Sequence, residues 1–276
     1  MPIVLASIAP HGDEIVPELN PNMDDKSERL MRAMNKLADE IFRKDPDIIV
    51  IATPHNLRIY KHIGVITTSY VEGTWGTEHG SIHVKATCDR DFALRLYENA
   101  VKNNLPAVAV NYGVDRGELS KMCLDWGTII PLWFIEKRYR QAGKNLPPVV
   151  VITPSREIPW DLLVKFGEII VDVSDNLGRN VVFIASADQS HTHDPSGPYG
   201  YDDTSKEFDE FVLRAVKENR LEDLLNLSSE IVERAKPDSL WQMLILHGVI
   251  KKTNLRNSFT VYECPTYFGM LVAIFK

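Results

Sequence analysis

The chain has 276 residues, 44% of them apolar, with 31 Lys and Arg against 38 Asp and Glu, for a formal charge of −7. That length and apolar share suit one large α/β domain or two small ones. The acidic balance, with no long run of Lys and Arg, argues against a nucleic-acid or anionic-membrane surface.

The first apolar run, IVLASIA (3–9), reads as a strand that Pro10 must end, because proline cannot donate to a sheet ladder. His11 follows it. A helix is expected over 26–44, where Leu30, Met34, Leu37 and Ile41 recur at helical spacing behind the capping pair Asp24–Asp25. DIIVIAT (47–53) repeats the first pattern, with Pro54 and His55 behind it. GVITTSYV (64–71) is a third strand, and EGTWGTEHGSIH (72–83) a Gly-rich hairpin. A helix over 89–104 and strands at 107–112 and 149–153 come next. They are followed by a helix over 160–178, closed by Gly178 as its C-cap. VVFIASA (181–187) is a further strand. Residues 203–252 read as helical with weak breaks, and strands at 258–264 and 269–276 finish the chain.

Continuous apolar strands of this kind are covered on both faces. The expectation is therefore one α/β domain over 1–276: a central, mostly parallel or mixed sheet flanked by helices, with its active site at the carboxyl ends of the strands. Cys88, Cys123 and Cys264 are too far apart for a zinc or disulfide framework. They suit a reducing cytoplasm. A basic-apolar leader and an eighteen-residue apolar span are both absent from the sequence, so a cytoplasmic protein with no membrane partner is expected.

Of eight histidines, His11, His55, His191 and His193 stand behind strands that should end at one edge. Two Pro-His steps and a His-x-His behind a third strand favour a metal site. His62, His79, His83 and His247 read as ordinary strand, hairpin and core residues. Two imidazoles suit Zn, Fe, Ni or Cu, and the third ligand is open among Glu14, Glu78 and Glu263, with Cys264 adjacent to the last. Two His and one Glu would form the facial triad of non-haem Fe(II) oxygenases.

PHGDEIVP (10–17), TPHN (53–56), LDWGTIIPL (124–132), SADQSHTHDPSGPYGYD (186–202) and YECPTYFGM (262–270) together resemble the class III extradiol dioxygenases, the LigB-type family. The resemblance runs in order along nearly the whole chain. It implies Fe(II) held by His11, His55 and Glu263, and His191 as the acid/base, with His193 as second choice for that role. The implied substrate is a catechol- or aminophenol-type ring opened with O2. Asn56, Trp126, His193 and Tyr199 are the expected contacts to it, Tyr199 (or Tyr201) because the turn-rich loop DPSGPYGYD could close over the ring. Trp126 is a departure, because several catechol-cleaving members have a histidine there. The YECPTYFGM ending resembles the aminophenol-cleaving branch.

Related Memo proteins keep the fold, and in some a cysteine replaces the glutamate. That leaves a Memo-like metal-binding or interaction protein without ring cleavage as one alternative. A zinc-dependent hydrolase on the same scaffold is another. A homo-oligomer is expected, and a separate small subunit is a further expectation from the resemblance.

Overall fold

The apolar runs at 48–52, 149–154 and 181–186 become strands buried on both faces, whereas those at 107–110 and 257–263 become partly exposed edge strands. The structure, a computed structural model, describes residues 2–276. Its strands are β1 (Ile3–Ala9), β2 (Ile48–Ala52), β3 (Ile63–Ile66), β4 (Tyr70–Thr77), β5 (Gly80–Thr87), β6 (Ala107–Val110), β7 (Lys121–Cys123), β8 (Val149–Pro154), β9 (Val181–Ser186), β10 (Asn257–Glu263) and β11 (Met270–Phe275). Its α-helices are α1 (Asp25–Lys44), α2 (Arg90–Lys102), α3 (Trp126–Gln141), α4 (Trp160–Leu177), α5 (Thr204–Lys217), α6 (Ser229–Ala235) and α7 (Leu240–Lys251).

Eight strands form one mixed sheet in the order β10-β11-β1-β9-β2-β8-β3-β6. The four central strands β1, β9, β2 and β8 are mutually parallel, and β11 and β3 join them antiparallel on either side. The central strands therefore deliver their carboxyl ends to one edge. Side chains alternate across the sheet. Ile48, Val50 and Ala52 of β2 face a core built with α2, α4 and α7, while Ile49 and Ile51 face one built with α1 and α3.

Local signals work as expected in α1 and α4. Asp24 caps α1, accepting from the Ser27 N–H at 2.8 Å, and Gly178 ends α4 in the left-handed region at φ 62°. Helices α4 and α7 cross at glycines. A Cβ on Gly248 would stand 2.9 Å from the Gly167 Cα, so only glycine allows this approach. That crossing seats α7, whose N-terminal end matters below.

Three features differ from the sequence expectation. The run 64–71 divides between two sheets, because Thr67–Ser69 leave β3 and start β4, which pairs with β5 and β7 in a separate three-stranded sheet. Residues 126–141 form α3, whose nearly uniform apolarity in its first half hides the helical period. The stretch 203–252 breaks fully between α6 and α7. No helix among the described residues is long and apolar enough to cross a membrane.

Candidate metal centre

Pro10 and Pro54 follow β1 and β2, two strands separated by β9, and release His11 and His55 at the same edge. The two Nε2 atoms lie 3.0 Å apart. Asp238 Oδ2 is 3.4 Å from the first and 3.0 Å from the second. The three donors form one cluster that can hold a metal ion. Two imidazoles bound to a first-row metal at about 2.1 Å and near a right angle hold their nitrogens about 3.0 Å apart, which fits the observed spacing.

The protonation of His11 also fits. Its Nδ1 is 2.9 Å from Ser186 Oγ, and that hydroxyl donates its only proton to the Gly127 carbonyl. Ser186 must then accept from His11 Nδ1–H, leaving the Nε2 lone pair for a cation. Burial disfavours charge on this imidazole, but Asp188 and Asp238 outweigh it and raise its pKa to about 9 in the metal-free protein. The pocket thus demands a positive centre beside its carboxylates, either a proton or a metal.

Asp188 stands beside the same donors, with its Oδ2 3.3 Å from His11 Nε2. Its Oδ1 accepts the His11 backbone N–H at 3.1 Å, and its own N–H donates to Asp238 Oδ1 at 3.0 Å. Burial pushes its carboxyl up to about 7, although His11 pulls it back. Asp238 goes the other way: His11, His55 and His191 overcome the cost of burial and hold it well below the usual carboxylate range.

The Asp-Trp-Gly segment braces the second histidine. Asp125 caps α3 through the Thr128 N–H at 3.0 Å and accepts from Thr53 Oγ1 at 2.6 Å and Asn56 Nδ2 at 2.9 Å. Trp126 then stacks on His55 with ring centroids 4.2 Å apart, and Trp75 stacks on Trp126. A Cβ on Gly127 would meet Thr53 Oγ1 at 2.8 Å, so the segment closes on the β2 end only with glycine there.

Several residues singled out in the sequence stand elsewhere. Glu263 is outside the cluster. It ends β10, an edge strand, and its Oε1 takes the Arg29 Nε of α1 at 2.6 Å. Cys264 Sγ turns to the Thr266 carbonyl at 3.3 Å, and Glu78 lies exposed beside His79. The carboxylate of the cluster is Asp238, from the break between α6 and α7. A signal for it existed in KPDSL, a proline and an acid interrupting helical sequence, but the same pattern describes a plain helix cap.

His191 reaches the centre, with Nε2 3.7 Å from Asp238 Oδ2 and its ring stacked on Phe268 at 5.2 Å. His193 does not line either cavity at the cluster. Its Nε2 is 2.8 Å from both Ser190 Oγ and Asp209 Oδ2, a buried brace that Tyr262 OH completes. Asn56 holds Asp125 and the Cys123 carbonyl, so it positions the His55 loop and does not face the cavities. Trp126 and Tyr199 line both.

A mixed α/β sheet whose strand ends present two imidazoles to a carboxylate from a helix–helix turn defines a recognisable class of scaffold. Residues 5–273 match the family described as the catalytic LigB subunit of aromatic ring-opening dioxygenase, and the chain belongs to that family. It is 25% identical over 270 residues to Protein CA_C1420 of Clostridium acetobutylicum, covering 98% of this chain and 56% of that protein. Over 149 residues it is 26% identical to the MEMO1 family protein MK0963 of Methanopyrus kandleri, covering 53% of this chain and 43% of the relative. The chain thus spans about half the length of the curated relatives it matches. The crystal structure of uncharacterized protein JW3007 from Escherichia coli K12 shares the fold, with a TM-score of 0.60, 17% identity and 99% coverage of both chains.

Proposed function

We propose that this protein is a non-haem Fe(II) dioxygenase that opens a catechol- or aminophenol-type aromatic ring with O2. The observation that carries the reading is the meeting of His11, His55 and Asp238 at one point in a member of the LigB family. Two imidazoles and one carboxylate suit Fe(II), and iron bound there supplies the redox chemistry through which triplet O2 reacts with a closed-shell ring.

The protein's own groups then bind the ring and move protons. Trp126 and Tyr199 offer aromatic surface at the mouth of the cluster. Burial lowers the pKa of His191, and Asp238 only partly restores it, so the imidazole is neutral near pH 7. A neutral imidazole at that distance from Asp238 accepts a proton from a substrate hydroxyl and returns it later in the reaction. The likeness to a MEMO1 family protein favours a second reading, a metal-binding protein without ring cleavage.

Oxygen uptake decides between them. The protein is reconstituted anaerobically with Fe(II) and offered a panel of catechols and aminophenols. Uptake matched by a yellow ring-opened product supports the dioxygenase. Bound iron with no uptake on any member of the panel sinks it and leaves the binding reading.

A further inference from the structure

Two cavities open on the cluster, of about 390 Å³ and 710 Å³, and His191 lines both. Its imidazole has few bonds to hold it there. Nδ1 is buried with no hydrogen-bond partner, and Nε2 lies 3.7 Å from Asp238 Oδ2. The ring is fixed instead by the loop that carries it and by Phe268, stacked on it at 5.2 Å with 12° between the planes.

Both supports lead to Asp209 of α5, which is 3% exposed. Its Oδ1 accepts the Ser190 backbone N–H at 2.9 Å. Its Oδ2 accepts Tyr262 OH at 2.5 Å and lies 2.8 Å from His193 Nε2. The Ser190 hydroxyl gives its proton to the Ser205 carbonyl at 3.1 Å, so towards His193 it is an acceptor. Nε2 of His193 therefore carries a proton, shared between Ser190 Oγ and Asp209 Oδ2. Gly269 passes close behind the carboxylate, where a Cβ would collide with Oδ2. It also trades backbone bonds with the His191 loop. The Gln189 N–H reaches the Gly269 carbonyl at 2.7 Å, and the Gly269 N–H reaches the Ser190 carbonyl at 3.0 Å. Among the described residues the one ion-pair partner of Asp209 is His193. A buried carboxylate is costly unless its bonds are made, and one fully bonded is a rigid junction.

We propose that Asp209 is the positioning residue of the acid/base. It clamps the loop that carries His191 to the connection that carries Phe268, and so fixes where the His191 ring stands at the cluster. The use of that imidazole in turnover rests on the dioxygenase reading; the clamp does not. His193 is part of the clamp, although it lies only two residues from His191.

The stack supplies a signal that needs no turnover. A ring lying face-on to a phenylalanine has its carbon-bound protons shifted upfield, so His191 is followed by NMR in zinc-loaded protein, with F268L as the unstacked reference. Zinc is diamagnetic and suits imidazole and carboxylate donors. D209N sets an amide N–H against at least one of the three donors, and H193L removes one donor outright. Both should move the His191 signals towards the F268L position with zinc content unchanged. In the Fe(II) protein, with whichever diol the wild type accepts, both should lose about 10²-fold in kcat at unchanged KM, the cost of a misplaced group. H193Q returns an N–H near the Nε2 position and should recover most of both readouts. If D209N does not fold, H193L and Y262F carry the test, with Y262F shifting in the same direction by less. His191 signals that stay in place in the folded variants would overturn the proposal. So would loss of zinc or a raised KM alongside kcat, or an H193Q variant as poor as H193L. Failure of the dioxygenase reading looks different: no diol gives oxygen uptake, while the His191 signals still depend on Asp209.

Discussion

The carboxyl edge of the central parallel strands and the antiparallel margin at β10 and β11 both carry motif-like sequence, yet they do different work. At the first, β1, β2 and β9 end side by side and hand His11, His55 and Asp188 to one point. At the second, the two strands run antiparallel and YECPTYFGM crosses their connection. Glu263 goes to Arg29, and Lys26 Nζ reaches the Cys264 carbonyl at 2.8 Å. The margin still serves the centre, because Phe268 stacks on His191 and Tyr267 and Phe268 wall the smaller cavity. Parallel strands concentrate their loops at one edge, whereas an antiparallel pair divides its ends between two, so donor clusters gather at the former.

That contrast breaks first at the ligands. Asp238→Ala should reduce metal affinity by more than the about 10–100-fold that loss of an outer-shell partner costs, while Glu263→Ala should retain full metal content. Metal analysis after dialysis checks both, and the reverse order would return Glu263 to the centre. A smaller effect is expected at His191. His191→Ala should keep its metal and lose about 10²–10⁴-fold in turnover, measured as oxygen uptake on whichever diol the wild-type protein accepts.

Ser186→Ala removes the acceptor that orients His11 Nδ1–H. A loss of about 10–100-fold in metal affinity is expected, with the fold intact by circular dichroism. The mildest effect belongs to Glu14 at the smaller cavity. Burial, helped by Asp13, raises its carboxyl from 4.5 to about 7, and its Oε2 has no hydrogen-bond partner. A raised acid favours the folded state fully below pH 4.5, and that contribution is lost as pH rises to about 7. In metal-free protein, Glu14→Gln should therefore flatten the fall in stability across this window, by about 1–3 kcal/mol. Parallel melting curves for both proteins at pH 5 and pH 8 test it.

Much of the scaffold was legible because its signals are local. Continuous apolar runs read as strands covered on both faces, proline stopped β1 and β2, and helical spacing with Asp24 and Gly178 marked α1 and α4. The two Pro-His steps were legible for the same reason, since a residue behind a parallel strand has a foreseeable place. Helix α3 was hidden by burial on nearly every side, which erases the helical period.

Sequence by itself therefore determined the layers of the fold and the strand ends from which His11, His55 and His191 emerge. Only tertiary structure decided which carboxylate meets them. Asp238 lies 183 residues from its His55 contact, and it arrives there because Gly167 and Gly248 let α7 settle closely on α4. Glu263 sits in a more motif-like setting, but its edge strand leaves it beside Arg29. A helix cap and a ligand are chemically the same aspartate until long-range packing chooses its neighbours.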